Sequence, residues 1–345
     1  MKAIVQEGYG GPEVIRVAEV PEPAPGANDV AIRVHAAAVH AGDVRIMRGD
    51  PLMIRAVFGR TGPRKPIGRD VVGTVIATGA GAEGVAVGDR VFVEADQGGF
   101  AEVVVVGASY VRPAPANLDD EHAAVIPVSA MTALQGLRLA DVKPGDRVLV
   151  IGASGGVGTY AVQLAAGLGA EVTGVASAAK ADHVRAAGAT HVVDYRTTDV
   201  TEQPTRYDAI LDLAGDRSLR ALRRILAPRG TLVVAAGNGS RVFGPLGRII
   251  AASAQNLFTR QRLRPLAARR NGDDLEELRR LAEAGTLRPV VDRVLPLDRA
   301  AEALALLESG AVRGKLALRV LERPATPPVA DEQAAPADQA TSTAP

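Results

Sequence analysis

The strongest constraint on this chain is a seven-residue run, Gly152-Ala153-Ser154-Gly155-Gly156-Val157-Gly158, set between an unbroken apolar segment, Arg147–Ile151 (RVLVI), and a stretch of helical apolar spacing over 159–168. An apolar segment without polar alternation is what a strand buried on both faces requires. Glycines in the turn that follows allow a tight reversal, close approach of backbone to a diphosphate, and close packing of helix on strand. The helix start then offers free N–H groups to an anion. Glycine-rich turns also arise for structural reasons alone, but between this strand and this helix the run reads as a dinucleotide-binding loop. Ala153 stands in the first glycine's place, and Gly155 and Gly158 hold the other two.

The segments around the loop agree. After it come strand patterns at 171–175, His191–Asp194, 209–213 and 231–235, alternating with helical patterns at 179–187 and 218–226. Strand alternating with helix predicts crossover units and a doubly wound parallel sheet, an α/β fold. Residues 1–120 read differently. Short β-branched segments at 30–36, 71–77, Arg90–Glu94 and 101–106, separated by turn residues, predict irregular β structure, in the form of a small barrel. A helix over 273–284 and another over 300–307 precede a last strand at 315–321. From 323 to 345 the Pro/Ala/polar text predicts a disordered tail.

Composition narrows the function. Forty basic and 39 acidic residues leave a net charge of +1, which gives no support for nucleic-acid or membrane-surface partners. Without cysteine there is no thiolate nucleophile, iron–sulfur cluster or Cys-ligated zinc. Only 3% of residues are aromatic, so the cores must be aliphatic and alanine-rich. The text enters a strand pattern directly from Met1 and has no apolar run of the ~18–20 residues that span a bilayer, so the expected setting is cytoplasmic.

The choice of coenzyme turns on the end of the second strand. NAD sites place a carboxylate about 20 residues past the loop, where it would repel a 2′-phosphate. Here the text is Val175-Ala176-Ser177-Ala178-Ala179-Lys180, with a hydroxyl, no acid, and one of only five lysines. The alternative for Lys180 is a solvated helix start. NADPH is the expected coenzyme.

At this point the chain, from 1 to about 322, resembles the medium-chain dehydrogenase/reductase superfamily in its zinc-independent quinone oxidoreductase branch. The resemblance rests on MKAI with Gly10-Gly11-Pro12-Glu13, Gly42-Asp43 leading to Arg48-Gly49, and Gly68-Arg69-Asp70-Val71-Val72-Gly73. It continues through Val87-Gly88-Asp89-Arg90-Val91-Phe92, Gly99-Phe100-Ala101-Glu102, Thr132-Ala133, the glycine loop, Val193-Asp194-Tyr195 and Gly314-Lys315. It implies a Rossmann domain, 123–271, inserted in a GroES-like, mostly β catalytic domain made of 1–122 and 272–322. It further implies a homodimer, and Lys180 and Tyr195 on the 2′-phosphate. An arginine that some relatives carry near the last strand falls at Gly310, with Arg313 close by. Zinc-using relatives take ligands at positions that here are His40, Arg69 and Val128, so no metal is expected: a guanidinium cannot deprotonate to become a ligand.

Without a Lewis acid to stabilise an alkoxide, the expected reaction is hydride transfer from NADPH to a quinone or an α,β-unsaturated carbonyl. Enoyl-thioester reduction is the alternative enzyme, and a non-catalytic NADPH-binding sensor or structural protein is the alternative of another class. His40, Asp43 and Arg48 are the candidate catalytic residues. His40 has three open roles: proton donor, neutral hydrogen-bond donor, or packed structural histidine. Asp43 is alternatively the cap of a helix over 44–48. Expected coenzyme contacts are Thr132 (on the carboxamide), Ser154, Gly155, Gly156, Val157, Ser177, Lys180, Tyr195, Leu213, Ala214, Ala236, Gly237 and Lys315. Asp70 is expected to pair with an arginine. Two basic stretches, 55–65 and 260–270, are either solvated faces or contacts for an anionic substrate such as an acyl-CoA thioester.

Overall fold

A computed structural model describes residues 1–235, 242–244, 246–256 and 259–321. The expected tail over 323–345 and the expected contacts Ala236 and Gly237 lie outside the described residues. Among the described residues the central sheet has six strands, all parallel, in the order His191–Asp194, Glu171–Ala176, Arg147–Ile151, Tyr207–Asp212, Leu226–Val234, Arg262–Pro265. Chain order reverses between Arg147–Ile151 and Tyr207–Asp212, and a crevice opens at the carboxyl ends of strands at such a reversal. The predicted doubly wound α/β fold is therefore present.

The second sheet draws on both ends of the chain, as the GroES-like arrangement requires. Its order is Val291–Pro296, Lys315–Arg319, Asp29–Val39, Asp70–Thr78, Arg90–Glu94, Arg112–Pro113, with Val103–Gly107 also paired to Asp29–Val39. Lys2–Gln6 and Ile15–Glu19 form a separate antiparallel pair.

One core cluster joins the two halves: Ala36, Val72 and Phe92 of the mixed sheet pack with Ile126, Met131 and Leu134 and with the central sheet. The helix Gly272–Glu283, expected with the substrate half, adds Leu275, Leu278 and Ala282 to this same cluster. Sharing a core fixes the cleft between the sheets. The cores are aliphatic as composition demanded, with Tyr160, Tyr207, Phe92 and Phe100 the aromatics among the largest fully buried side chains. Among the described residues no helix is long and apolar enough to cross a membrane.

Two helix starts differ from expectation. The helix after the glycine run spans Gly156–Gly167, because the glycines themselves form its first turn. The helix expected over 44–48 spans Ala41–Arg48, with His40 in the capping position.

Candidate active site

The strand Asp29–Val39 delivers His40 into the crevice, where it caps the helix Ala41–Arg48 reciprocally. His40 Nδ1 accepts the Gly42 N–H at 3.2 Å, and Asp43 Oδ2 accepts the His40 N–H at 2.9 Å. A Cβ on Gly42 would lie 2.9 Å from Nδ1, so the cap needs glycine there. This network assigns the tautomer: with Nδ1 accepting, the ring proton sits on Nε2. Nε2 is buried, lies 3.5 Å from Asp43 Oδ2, and has no hydrogen-bond partner among the described residues. Burial, aided by the Lys315 and Arg69 charges, holds the imidazole well below its usual pKa, so the ring is neutral. Asp43, fully buried, is pushed up to about 7 by burial despite the His40 N–H and Lys315.

Beneath His40 lies a second buried pair. Asp70 Oδ1 accepts the Val128 N–H at 2.8 Å, capping the helix Pro127–Ala140, and Asp70 Oδ2 stands 3.6 Å from Lys315 Nζ. The expected arginine partner is thus replaced by Lys315. Arg69 binds Glu94 instead, and burial raises Glu94 to about 7. Burial also raises Asp70 to about 6 against the pull of Lys315, and lowers Lys315 against the pull of Asp70 and Asp43. Gly314 donates its N–H to the Ser154 carbonyl at 3.1 Å, and a Cβ on Gly156 would meet Lys315 Cδ at 2.7 Å. Lys315 is thereby pressed between the coenzyme loop and Asp70. His40 Nε2, Asp43 Oδ1, Asp70 Oδ2 and Lys315 Nζ are all buried without a hydrogen-bond partner among the described residues. Such atoms are rare in folded proteins, and their gathering here makes this a candidate functional cluster.

The groove beside this cluster has a volume of about 360 Å³ and is lined by His40, Thr132, Gly155, Gly156, Val157, Leu213 and Lys315, with Ser129, Arg45 and Ala235 besides. The left-handed residue of the turn is Gly152 (φ +86°), one position before the place assigned to the first glycine. Ala153 is instead fully buried. The helix Gly156–Gly167 has no side-chain cap, so its first N–H groups remain available. A diphosphate fits this uncapped terminus, where no side chain stands between backbone and ligand. Ala214 flanks the turn: its N lies 3.6 Å from where a Cβ on Gly152 would be. Thr132 Oγ1 donates to the Val128 carbonyl at 2.6 Å, which leaves that oxygen to accept a carboxamide N–H.

The residues expected on the 2′-phosphate are not among those lining this groove: Ser177 is buried and Tyr195 exposed. Lys180 Nζ donates to the Gly310 and Val312 carbonyls at 2.8 and 2.7 Å. Arg313 and Arg196 add positive potential at this ammonium, which burial already lowers, and Arg196 also sits 5.9 Å over the Tyr195 ring. Arg196 was not legible as a site residue, because neighbouring cations on different elements meet only after folding.

Arg48 falls outside both linings. It makes a bidentate pair with Glu308 at 2.7 and 2.6 Å, joining the first helix to Ala300–Glu308. His35, His122, His183 and His191 are each held by Asp120, Asp119, Thr159 and Glu171 respectively, away from the groove. A second pocket of about 420 Å³, walled by Ile46, Val57 and Phe58, meets the groove at His40 and Gly42.

These features have counterparts among known proteins. The segment 26–116 matches the alcohol dehydrogenase GroES-like domain model, and 187–318 matches the zinc-binding dehydrogenase model. A chloroplast envelope quinone oxidoreductase homolog of Arabidopsis thaliana is 30% identical over 92% of this chain and 97% of its own length. The chain belongs to the medium-chain dehydrogenase/reductase superfamily, in its quinone-oxidoreductase-like branch. An NADPH-dependent alkenal/one oxidoreductase of the same plant is 28% identical over 92% of this chain and 78% of its own. The solved structure of Escherichia coli quinone oxidoreductase complexed with NADPH superposes with a TM-score of 0.80, at 25% identity, over 93% of this chain and 100% of its own. This medium-chain family is one of nicotinamide-dependent oxidoreductases, and the crevice is placed as that chemistry requires.

Proposed function

We propose that this medium-chain reductase transfers a hydride from NADPH to a quinone or α,β-unsaturated carbonyl without zinc. The observation that supports it best is His40, a neutral ring that lines both the coenzyme groove and the second pocket, its Nε2–H buried and without a partner among the described residues. Bound along the glycine loop, the coenzyme supplies hydride from C4 of its nicotinamide to the electrophilic carbon. His40 Nε2–H then donates a hydrogen bond to the acceptor oxygen as negative charge grows on it, inside a site where donors are already oriented. A neutral imidazole does not surrender that proton, so the reaction's proton comes from solvent through the open second pocket.

The donor set argues for the metal-free reading. Of the positions that hold zinc in other superfamily members, Arg69 is a cation tied to Glu94 and Val128 has no ligating atom. The span that matches the zinc-binding model, 187–318, contains none of the three.

Two measurements test this. kcat/KM for an uncharged enone is expected to show no fall near pH 6.5, the ordinary imidazole pKa, that His40→Ala removes, because His40 is neutral on both sides of it. Asp43, Asp70 and Glu94, raised to about 7, 6 and 7, titrate in the same range, and their effect should persist in that variant. A loss of activity above that pH, removed by His40→Ala, would instead make His40 the proton donor. His40→Ala itself is expected to lower kcat by roughly 10²–10³-fold, as for loss of one oriented oxyanion donor. Lys180→Ala is expected to weaken NADPH binding by about tenfold while leaving NADH unchanged, since one charge-assisted contact to phosphate is lost. Calorimetry with both coenzymes decides it; equal loss for the two would refute the phosphate role.

A further inference from the structure

The second pocket is also lined by Arg64, Lys65 and Arg69, with Arg64 donating its N–H to the Phe58 carbonyl at 3.0 Å. Two neighbouring ion pairs are already satisfied. Arg69 is matched by Glu94, and Asp96, which also lines this pocket, is matched by Arg270 at 3.2 Å. Arg270 in turn lies 4.7 Å over the Tyr110 ring, so this cation of the second basic stretch is already spent on Asp96 and Tyr110. Arg55, from the same stretch as Arg64, donates to the Gly49 carbonyl at 3.1 Å and lies 4.9 Å over Tyr9. Arg64 and Lys65 remain, exposed and without an ion-pair partner among the described residues. A solvated face accounts for two free cations on an open surface. It does not account for their position. The same two residues also line a neighbouring apolar groove of about 480 Å³ bounded by Val5, Val20 and Pro21, so they stand on the saddle between it and the pocket ending at His40.

We propose that the acceptor is an acid: an enone or enoyl compound whose electrophilic carbon lies by His40 and whose carboxylate or phosphate rests on Arg64 and Lys65, with any apolar remainder in the groove beyond. This rests on the reductase reading above and names its substrate class. In the reaction, hydride forms the new C–H bond at the β-carbon. The C=C π pair takes a solvent proton at the α-carbon, and the nicotinamide is left oxidised. Net positive potential in a walled pocket raises the local concentration of an anion, an effect that salt screens.

The test uses matched acceptors with saturating NADPH at low ionic strength: 4-oxopent-2-enoate against its methyl ester, and crotonyl-CoA against crotonyl-N-acetylcysteamine. The charged member of at least one pair is expected to show a KM lower by on the order of tenfold, and the Arg64→Ser/Lys65→Ser double variant to erase that advantage with kcat held and the neutral member unaffected. A response confined to the first pair identifies a free carboxylic acid, and one confined to the second a phosphate-bearing carrier. Equal KM values within both pairs, or a double variant that slows neutral and charged acceptors alike, would overturn the acid assignment while leaving the reductase intact. Failure to reduce any of the four, in protein that binds NADPH, would overturn the acid assignment, and failure with 1,4-benzoquinone as well would refute the reductase reading with it.

Discussion

Lys315→Met is expected to destabilise the protein by about 3–5 kcal/mol at pH 8, because it strips the counter-charge from a carboxylate that is wholly buried. Asp70 would keep only the Val128 N–H, and its carboxyl, already raised to about 6 with Lys315 present, would move higher still. The sign follows from linkage. Between the unfolded pKa near 4 and the raised folded value, the native state holds the extra proton, so stability falls as pH rises across that window. The deficit of the variant should therefore be small at pH 4 and grow to its full size above the new folded pKa. Asp70→Asn in the same background removes the charge and keeps an oxygen for Val128, so it should restore most of the loss. Urea unfolding of the wild type and the two variants at pH 4 and 8 gives the comparison. A Lys315→Met deficit that is equal at both pH values would mean lost packing against Gly156 rather than an unpaired charge.

Gly158→Ala carries the second large expectation. A Cβ at this position would lie 2.1 Å from the Gly152 carbonyl oxygen and 2.8 Å from the Ala153 carbonyl carbon, both backbone atoms that cannot turn aside. The helix must move off the loop, at a cost of about 1–3 kcal/mol in stability. The groove at the helix start moves with it, and NADPH affinity should fall by about a hundredfold, ~2.8 kcal/mol at 1.4 kcal/mol per decade. Gly155→Ala is the informative control. Its φ of −84° suits any residue and its Cβ would stand 3.4 Å from the Gly152 oxygen, a tolerable contact. It should fold like the wild type yet bind NADPH weakly, because the methyl group would enter the diphosphate's space. Equal stability of the two variants would show that the close helix–loop packing is not what Gly158 provides.

The parallel half was legible around the glycine turn, since a buried strand, a glycine turn and an amphipathic helix are each written within a few neighbouring positions. The helix Leu246–Gln255 and the sixth strand Arg262–Pro265 were not, the latter lying in a stretch read only for its charge. Even at the glycine turn the residue with φ above zero is Gly152, a position the spacing of the glycines assigned differently. The site was legible in part. His40 and Asp43 stood out, but that His40 caps its own helix and so fixes its ring proton on Nε2 depends on how the chain enters the crevice. Arg48, conspicuous beside them in the text, is drawn away by Glu308, 260 residues further on.

What the sequence determined by itself is the local grammar: the alternation of strand and helix, the anion-ready loop, the absence of cysteine chemistry, and a second-strand end free of carboxylate. What only the tertiary structure decided is which charges meet. Asp70 chose Lys315 over any arginine, Arg69 took Glu94, and Arg64 and Lys65 were left unmatched at a pocket wall. The reason is physical: apolar periodicity and glycine conformations act over a few residues, whereas Coulomb attraction and desolvation act across space, and space is ordered only once both sheets share a core.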